Sequence, residues 1–372
     1  MKWVFWGSAF LIAYAFVGYP ALLFLRSRWR ARPILKAPIL PSVSVVMAVH
    51  NEAEVLPAKL NNLAALDYPA DRLEIIVTSD GSTDATEKIV AARISERLRL
   101  VASLRREGKA SALNRGIQAA HGEIILFTDA RQLIAPDAIR ELMANFADPS
   151  VGCVSGELIL GESDAVDSSN GFGLYWRLEK KIRQWESLTG SVIGATGALY
   201  AARKDLLVPL PGGTILDDVY LPLHVARRRK QVLFEPKARV YDRVAPSQRE
   251  FRRKVRTLTG NYQLVQFAPW LLTPSNPVLW DYVSHKLLRL VAPFGLAALL
   301  ISPLFLRTPL YEAALVLQVV FYALAALTIF GRPRPAIVAR LADAAAAFLV
   351  LNAAAAVAFY FFLSGKREVW VR

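Results

Sequence analysis

The hydropathic pattern divides the chain into four long apolar runs and one block of mixed polarity. Residues 3–25 carry no charge, and about 20 apolar residues suffice to cross a bilayer. Three further runs, 287–306, 308–330 and 341–363, crowd the C-terminal end. In the block between, short apolar stretches alternate with amphipathic ones. S-V-S-V-V-M-A-V, entered at Val43, predicts a buried strand, as do residues 73–78, 123–128 and 151–160. Residues 53–66 place Val55, Leu56, Leu60, Leu63 and Leu66 at helical spacing. Helices are also predicted over 85–97 and 136–146. This alternation argues for an α/β domain with a mainly parallel sheet. In such sheets ligands bind beyond the carboxyl ends of the strands. His50-Asn51-Glu52, Asp80-Gly81-Ser82 and Asp129 all fall at such ends.

Two later stretches are amphipathic. Residues 175–185 set Tyr175, Leu178, Ile182 and Trp185 on one helical face, which suits either a helix on a membrane surface or an ordinary helix on the domain. Residues 247–264 share Phe251, Val255, Leu258 and Tyr262 on one face, with Arg252, Arg253 and Arg256 on the rest. The expected layout is a transmembrane helix at 1–25, a basic linker at 26–42 and an α/β domain at 43–244. Interface helices follow at 245–281, then a membrane region of about three helices at 282–372.

Arg26, Arg28, Arg30, Arg32 and Lys36 follow the first run, so the positive-inside rule places that side in the cytoplasm. The loop at 331–340, with Arg332, Arg334 and Arg340, is then cytoplasmic as well. The basic tail at 365–372 would lie outside, against the same rule. Either the rule fails for the tail or one run does not cross, and Pro293 and Pro303 make 287–306 the run expected to be irregular. Asp343 and Glu312 lie near span ends, where snorkelling or pairing is expected. Asn352 lies deeper and is expected to bond between helices.

Composition sharpens this picture in three ways. A hydrophobic fraction of 54% is high for a soluble protein. The net charge of +14 suits anionic lipid and phosphorylated substrates, because Lys and Arg flank the apolar runs. Nucleic acid is not an expected partner, since aromatic-basic repeats and zinc spacings are missing from the sequence. The single cysteine, Cys153, excludes an intramolecular disulfide framework and reads as a small core residue.

Candidate chemistry centres on T-I-L-D-D-V-Y, residues 214–220. Two adjacent carboxylates, Asp217 and Asp218, follow a Pro-Gly-Gly turn. Burying such a pair is costly unless a cation, hydrogen bonds or a proton relieve it. A carboxylate held there can take a proton from a reacting hydroxyl. Asp129 ends the apolar run I-I-L-F-T-D upstream, and Arg252, Arg253, Lys254 and Arg256 form a cationic cluster downstream. Ordinary roles compete at several positions. His50 can be a turn residue, Asp80-Gly81-Ser82 a plain turn, Asp129 a helix N-cap, and the arginines a lipid-facing surface.

Six segments taken together resemble the membrane-bound members of glycosyltransferase family 2, the inverting enzymes that include hyaluronan, chitin and cellulose synthases. They are V-S-V-V-M-A-V-H-N-E, T-S-D-G-S-T-D-A-T, G-K-A-S-A-L-N-R-G, I-I-L-F-T-D-A-R, L-D-D-V-Y-L and R-K-V-R-T-L-T-G-N, in the family's order. The resemblance covers about residues 43–263 and implies a GT-A-type nucleotide-sugar-binding fold joined to transmembrane helices.

It also implies roles. Glu52 and Asp80 match positions that hold the uridine end of the donor. Lys109 matches a basic residue near the diphosphate. Asp129 matches the first acid of a D-x-D motif that contacts donor and divalent metal, Mg²⁺ or Mn²⁺. Asp218 matches the general base, Asp217 the acid before it, and Arg256 the arginine of Q-x-x-R-W. Three positions depart: Arg131 replaces the second acid of D-x-D, Arg253 the Gln and Thr257 the Trp. Arg131 then removes one metal carboxylate and brings positive charge of its own to the donor site, with Arg253 beside Arg256.

The resemblance implies a multi-pass enzyme of a bacterial inner membrane with a cytoplasmic catalytic domain. The expected donor is a UDP-sugar and the expected acceptor a growing surface polysaccharide, with export or polymerisation proteins as further partners. Single-step transfer to a lipid or lipid-linked sugar is the alternative, because about four spans are few for a polymer channel. A degenerate subunit that only binds nucleotide sugar or lipid is a third class.

Overall fold

The computed structural model of the chain describes residues 1–161, 171–242, 247–331 and 336–365. Arg332, Arg334 and the tail beyond Gly365, which enter the topology argument, lie outside these residues.

The central block folds around an eight-stranded sheet. Its strands are β1 (Val43–Val49), β2 (Leu73–Asp80), β3 (Leu98–Ser103), β4 (Ile124–Phe127), β5 (Leu133–Ile134), β6 (Val151–Leu160), β7 (Tyr200–Arg203) and β8 (Gln231–Asp242). Their order is β3-β2-β1-β4-β7-β6-β8-β5. The first four run parallel. β7 is antiparallel to both β4 and β6, β8 is parallel to β6, and β5 closes the edge antiparallel to β8. The parallel half therefore matches the expectation, and the far half is mixed. Period-two alternation sorts side chains into two layers. Val43, Val45, Met47 and Val49 of β1 face one core, while Val46 faces the other. Cys153 is buried in that second core.

The predicted helices are shorter than the periodicity suggests: 53–66 is helical over Leu56–Ala64 and 136–146 over Ala138–Met143, followed by a 3₁₀ turn. The stretch 85–97 is helical only over Thr86–Ala91. There the Ser95 hydroxyl accepts from the N–H groups of Arg97 and Leu98 and folds the chain into a turn, a competition that serine commonly wins over the helix. The pattern does not predict β3, with arginine between its leucines, nor β8, whose Pro236 and charged residues obscure its alternation.

Among the described residues, four helices are long and apolar enough to cross a membrane: Lys2–Trp29, Leu279–Phe305, Pro309–Ile329 and Val338–Ser364. The second stays helical through Pro293 and tightens into a 3₁₀ turn at Ser302–Phe305. Its other irregularity is a π turn at Val283–Leu287, matched by one at Tyr14–Gly18 in the first helix. Asp343 accepts a bond from Thr328 of the preceding helix. Asn352 instead bonds the Phe348 carbonyl of its own helix, not a neighbouring one.

Two amphipathic helices couple the sheet to these spans. Gly171–Thr189 buries Ile182 against Tyr19 and Leu23 of the first span, while Trp176, Leu178 and Leu188 of the same helix stay exposed. Ser247–Phe267 packs Val255 on Ala354 and Ala358, and stacks Tyr262 on Phe362 at 5.5 Å. Its Gly260 lies on Leu216; a Cβ there would come within 2.6 Å of the leucine Cγ.

Candidate active site

The loops after β1, β2 and β4 meet at one end of the parallel half. Asn51 ties the first two together: its side-chain oxygen accepts from Thr83 N–H at 2.8 Å, and its own N–H donates to Ser82 Oγ. Gly81 has φ +64°, and a Cβ would come within 2.7 Å of the Arg105 backbone, so the turn needs glycine. His50 donates from its ring to the Asp80 carbonyl at 2.8 Å, which is a turn role. The Asp80 carboxylate is buried and accepts from Glu107 N–H at 2.9 Å and Gly108 N–H at 2.8 Å. Arg115 lies 3.5 Å from it. Asp80 thus fixes the loop that starts the Lys109–Ala119 helix. Glu52 is held beside it through its N–H, which donates to Thr86 Oγ1 at 2.9 Å.

The T-D-A-R turn after β4 rests on a lysine that sequence reasoning missed. Lys59 is fully buried and donates to Thr128 Oγ1 at 2.8 Å and the Gln132 carbonyl at 2.6 Å. Burial pushes its pKa down to about 7, with nearby Asp129 opposing. The signal was a lysine on the apolar stripe of its helix, flanked by Leu56, Leu60 and Leu63. Asp129 is followed by β5 and not by a helix, so it is not an N-cap. Arg131 grips Asp242 with two bonds, at 2.9 and 2.6 Å. Its charge is thereby compensated by a buried carboxylate, where the sequence suggested charge free for the donor.

The paired aspartates open the Asp217–Arg227 helix. The turn before them is strapped to the interface helix by Gln263, which accepts from Ile215 N–H and donates to the Gly213 carbonyl. The two carboxylates have different surroundings. Asp217 is buried, receives a bond from Tyr200 at 3.3 Å and pairs with Lys109 at 3.2 Å. Lys109 also pairs with Asp129 at 3.0 Å. Burial alone would push Lys109 down, but Asp129, Asp217 and Asp218 hold it well above its ordinary value.

Asp218, by contrast, has a sealed Oδ1 with no hydrogen-bond partner. Burial, and then the charge of Asp217, raise its pKa to about 6, with Lys109 and Lys286 opposing. A Cβ on Gly197 would come within 3.1 Å of its other oxygen. One carboxylate is neutralised in place, and the other is poised to change protonation.

A cavity of about 1970 Å³ joins these parts. All nine residues singled out from the sequence line it, Glu52, Arg253 and Arg256 included. It continues past Asp218 to Lys286 and Arg289 of the second span, Thr328 of the third, and Phe348 and Asn352 of the fourth.

Residues 44–207 match the family model described as Glycosyl transferase family 2. Glu52, Asp80, Lys109, Asp129 and Arg131 lie within this matched stretch, and Asp217, Asp218, Arg253 and Arg256 follow it. The chain is 26% identical to poly-beta-1,6-N-acetyl-D-glucosamine synthase of Staphylococcus aureus (strain COL), over 58% of this chain and 53% of that protein. It is 27% identical to beta-monoglucosyldiacylglycerol synthase of Synechocystis sp., over 78% of this chain and 64% of that one. The chain thus spans about half the length of the first of these curated relatives. Among solved structures it is similar to the mannosyltransferase PcManGT from Pyrobaculum calidifontis in complex with GDP-Man and Mn²⁺, with a TM-score of 0.74 and 25% identity. That likeness covers 98% of this chain and 99% of the other, so it takes in the membrane helices.

Sequence reasoning also missed Tyr200, Gln263, Arg183 and Lys286 around the cleft. Tyr200 had a signal in G-A-L-Y, an aromatic ending a small-residue run. Lys286 had none, because a lysine at the mouth of an apolar run reads as a membrane-interface anchor.

Proposed function

We propose that the chain is an inverting membrane glycosyltransferase that moves a sugar from a nucleotide-sugar donor to a hydroxyl of a lipid or lipid-linked acceptor. The observation that carries this reading is the continuity of one cavity from Asp129 and Lys109 to the membrane helices. A donor arriving over the loops after β1, β2 and β4 meets an acceptor arriving between the spans, with Asp218 at the junction.

In this reading Asp218 takes the hydroxyl proton as the acceptor oxygen attacks the anomeric carbon from the face opposite the diphosphate. One displacement inverts that carbon. Asp217 and Lys109 keep the base in place and tune it, and Lys109 with Arg253 and Arg256 holds negative charge that grows on the leaving diphosphate. Cations there favour the transition state over the ground state, because the charge is larger once the bond is breaking.

A divalent cation, Mg²⁺ or Mn²⁺, fits this donor set. Among the described residues no cluster of three or more His, Cys, Asp or Glu side chains can hold one alone. Asp129 is about a third exposed to the cavity, and such ions are commonly held by one or two carboxylates plus substrate phosphates. Bound there, the ion supplies further neutralisation of the diphosphate.

The layout that goes with this reading is the one drawn from the sequence: a catalytic domain at 43–244 on the cytoplasmic side, flanked by the first span and the interface helices. A UDP-sugar remains the donor implied by the family motifs, and the GDP-Man of the Pyrobaculum structure makes a GDP-sugar the first competitor to screen. The named activity of the Staphylococcus relative favours a second reading, addition to a growing polysaccharide.

Radiolabelled UDP- and GDP-sugars supplied to the purified chain in lipid nanodiscs separate the two. A single product extractable into organic solvent is expected; a ladder of increasing size in the aqueous phase would establish the polysaccharide reading instead.

A further inference from the structure

The membrane-facing wall of the cavity is crowded with ionisable side chains, and most are matched. His285 bonds Glu186 at 2.7 Å and Glu179 at 3.0 Å, and Arg289 pairs with Glu179. Tyr19 donates to Glu186 at 2.9 Å and Asp281 at 3.2 Å, and Arg26 completes the set on Asp281 at 3.0 Å. This network locks the first two spans to the Gly171–Thr189 helix. Lys180 pairs with Glu157.

Two cations on the same wall are not matched. Among the described residues Lys286 has no hydrogen bond or ion pair. Arg183 has only a 3.4 Å bond to the Ala195 carbonyl. Both line the cavity that holds Asp218. Ala195, which Arg183 touches, donates its N–H to the Asp218 carbonyl at 2.7 Å.

Lys286 sits on the π turn Val283–Leu287, one residue after His285. Such turns recur at functional sites because the extra residue redirects side chains. Cations left without a partner at the mouth of a membrane span are costly unless an anion joins them. Arg106 and Arg252 also have no carboxylate partner among the described residues, but Arg106 belongs to the loop fixed by Asp80, at the donor end. Lys109 is already placed for the leaving diphosphate. The pair by Asp218 is therefore positioned for a second anion.

We propose that Lys286 and Arg183 form an anion subsite for the acceptor, a membrane lipid whose headgroup carries both a phosphate and a free hydroxyl. The phosphate lies between the two cations, and the hydroxyl reaches Asp218. This rests on the lipid-acceptor reading above and narrows it to anionic headgroups. The hydroxyl oxygen forms the new bond to the anomeric carbon as the bond to the diphosphate breaks. The proton goes to Asp218, and the nucleoside diphosphate leaves with the electron pair. The acceptor phosphate is not consumed. Two lipid classes carry this chemistry: phosphatidylglycerol-type bilayer lipids and polyprenyl diphosphate sugars.

The test uses the full chain in nanodiscs with radiolabelled nucleotide sugar. Acceptors are phosphatidylglycerol, a polyprenyl diphosphate sugar and neutral diacylglycerol at equal mole fraction. At least one anionic lipid should be glycosylated about tenfold faster than diacylglycerol, the effect of one charge-assisted contact. Lys286→Gln and Arg183→Gln should each raise the KM for that lipid about tenfold while the KM for the nucleotide sugar holds. Lys286→Arg should restore most of the loss.

Equal or faster transfer to diacylglycerol overturns the proposal and leaves the lipid-acceptor reading standing. So does a rise in the KM for the donor, and not for the lipid, in the glutamine variants. Transfer to no lipid at all overturns both. The comparison of acceptors needs no variant, so a misfolded substitution does not rescue the proposal.

Discussion

Asp80 and Asp218 are both carboxylates on the wall of one cavity, and the protein treats them oppositely. Asp80 has backbone N–H groups on both oxygens, with Arg115 beside it. Asp218 leaves Oδ1 sealed without a partner, and its other oxygen lies 3.1 Å from where a side chain on Gly197 would begin. A satisfied buried carboxylate organises a loop. An unsatisfied one stores the cost of its own burial and is ready to accept a proton. The Asp80 end of the cleft is thus prebuilt, and the carboxylate at the Asp218 end is left incomplete.

The comparison is broken most severely by removing the open carboxylate. Asp218→Asn keeps the shape and loses the base, and turnover in the radiolabel assay should fall about a hundredfold to ten-thousandfold. The next effect is at Lys109, which joins the two ends through Asp129 and Asp217. Lys109→Met should lower kcat/KM about tenfold to a hundredfold. It should also move the acid limb of the pH profile upward, because Lys109 holds the Asp218 pKa down.

Asp80→Ala is a stability change first. Two backbone donors lose their acceptor, and the cost should be about 2–6 kcal/mol at about 1–3 kcal/mol each, read as a lower thermal midpoint in detergent. The smallest effect is expected from Arg131→Gln. Gln132 still donates to Asp242 at 3.0 Å, so the cost should stay near about 1 kcal/mol with turnover little changed. A large fall in turnover would mean that Arg131 serves the donor directly.

Much of the donor end was legible in the sequence, because each of its residues follows a short apolar strand in a recognisable segment. Periodicity alone puts Glu52, Asp80 and Asp129 at strand ends, and the structure gathers them there. β3 and β8 were not legible, since arginine and proline interrupt their alternation. Lys59 and Gln263 were missed for a different reason: each acts on a turn far away in sequence, and only the packed structure shows which turn. The membrane end was least legible. Lys286 and Arg183 lie far apart along the chain, and a cation beside an apolar run has an ordinary explanation in membrane anchoring.

The most direct test of the account needs no substitution. In single-turnover reactions of the native chain, the rate of sugar transfer reads the protonation of the base in place. Asp218 is raised to about 6, so it is protonated below that pH and ionised above it. The rate should be flat above about pH 7 and fall tenfold per unit as pH drops below about 6. A rate that stays level from about pH 8 down to about pH 4.5 would contradict the assignment of Asp218 as the base.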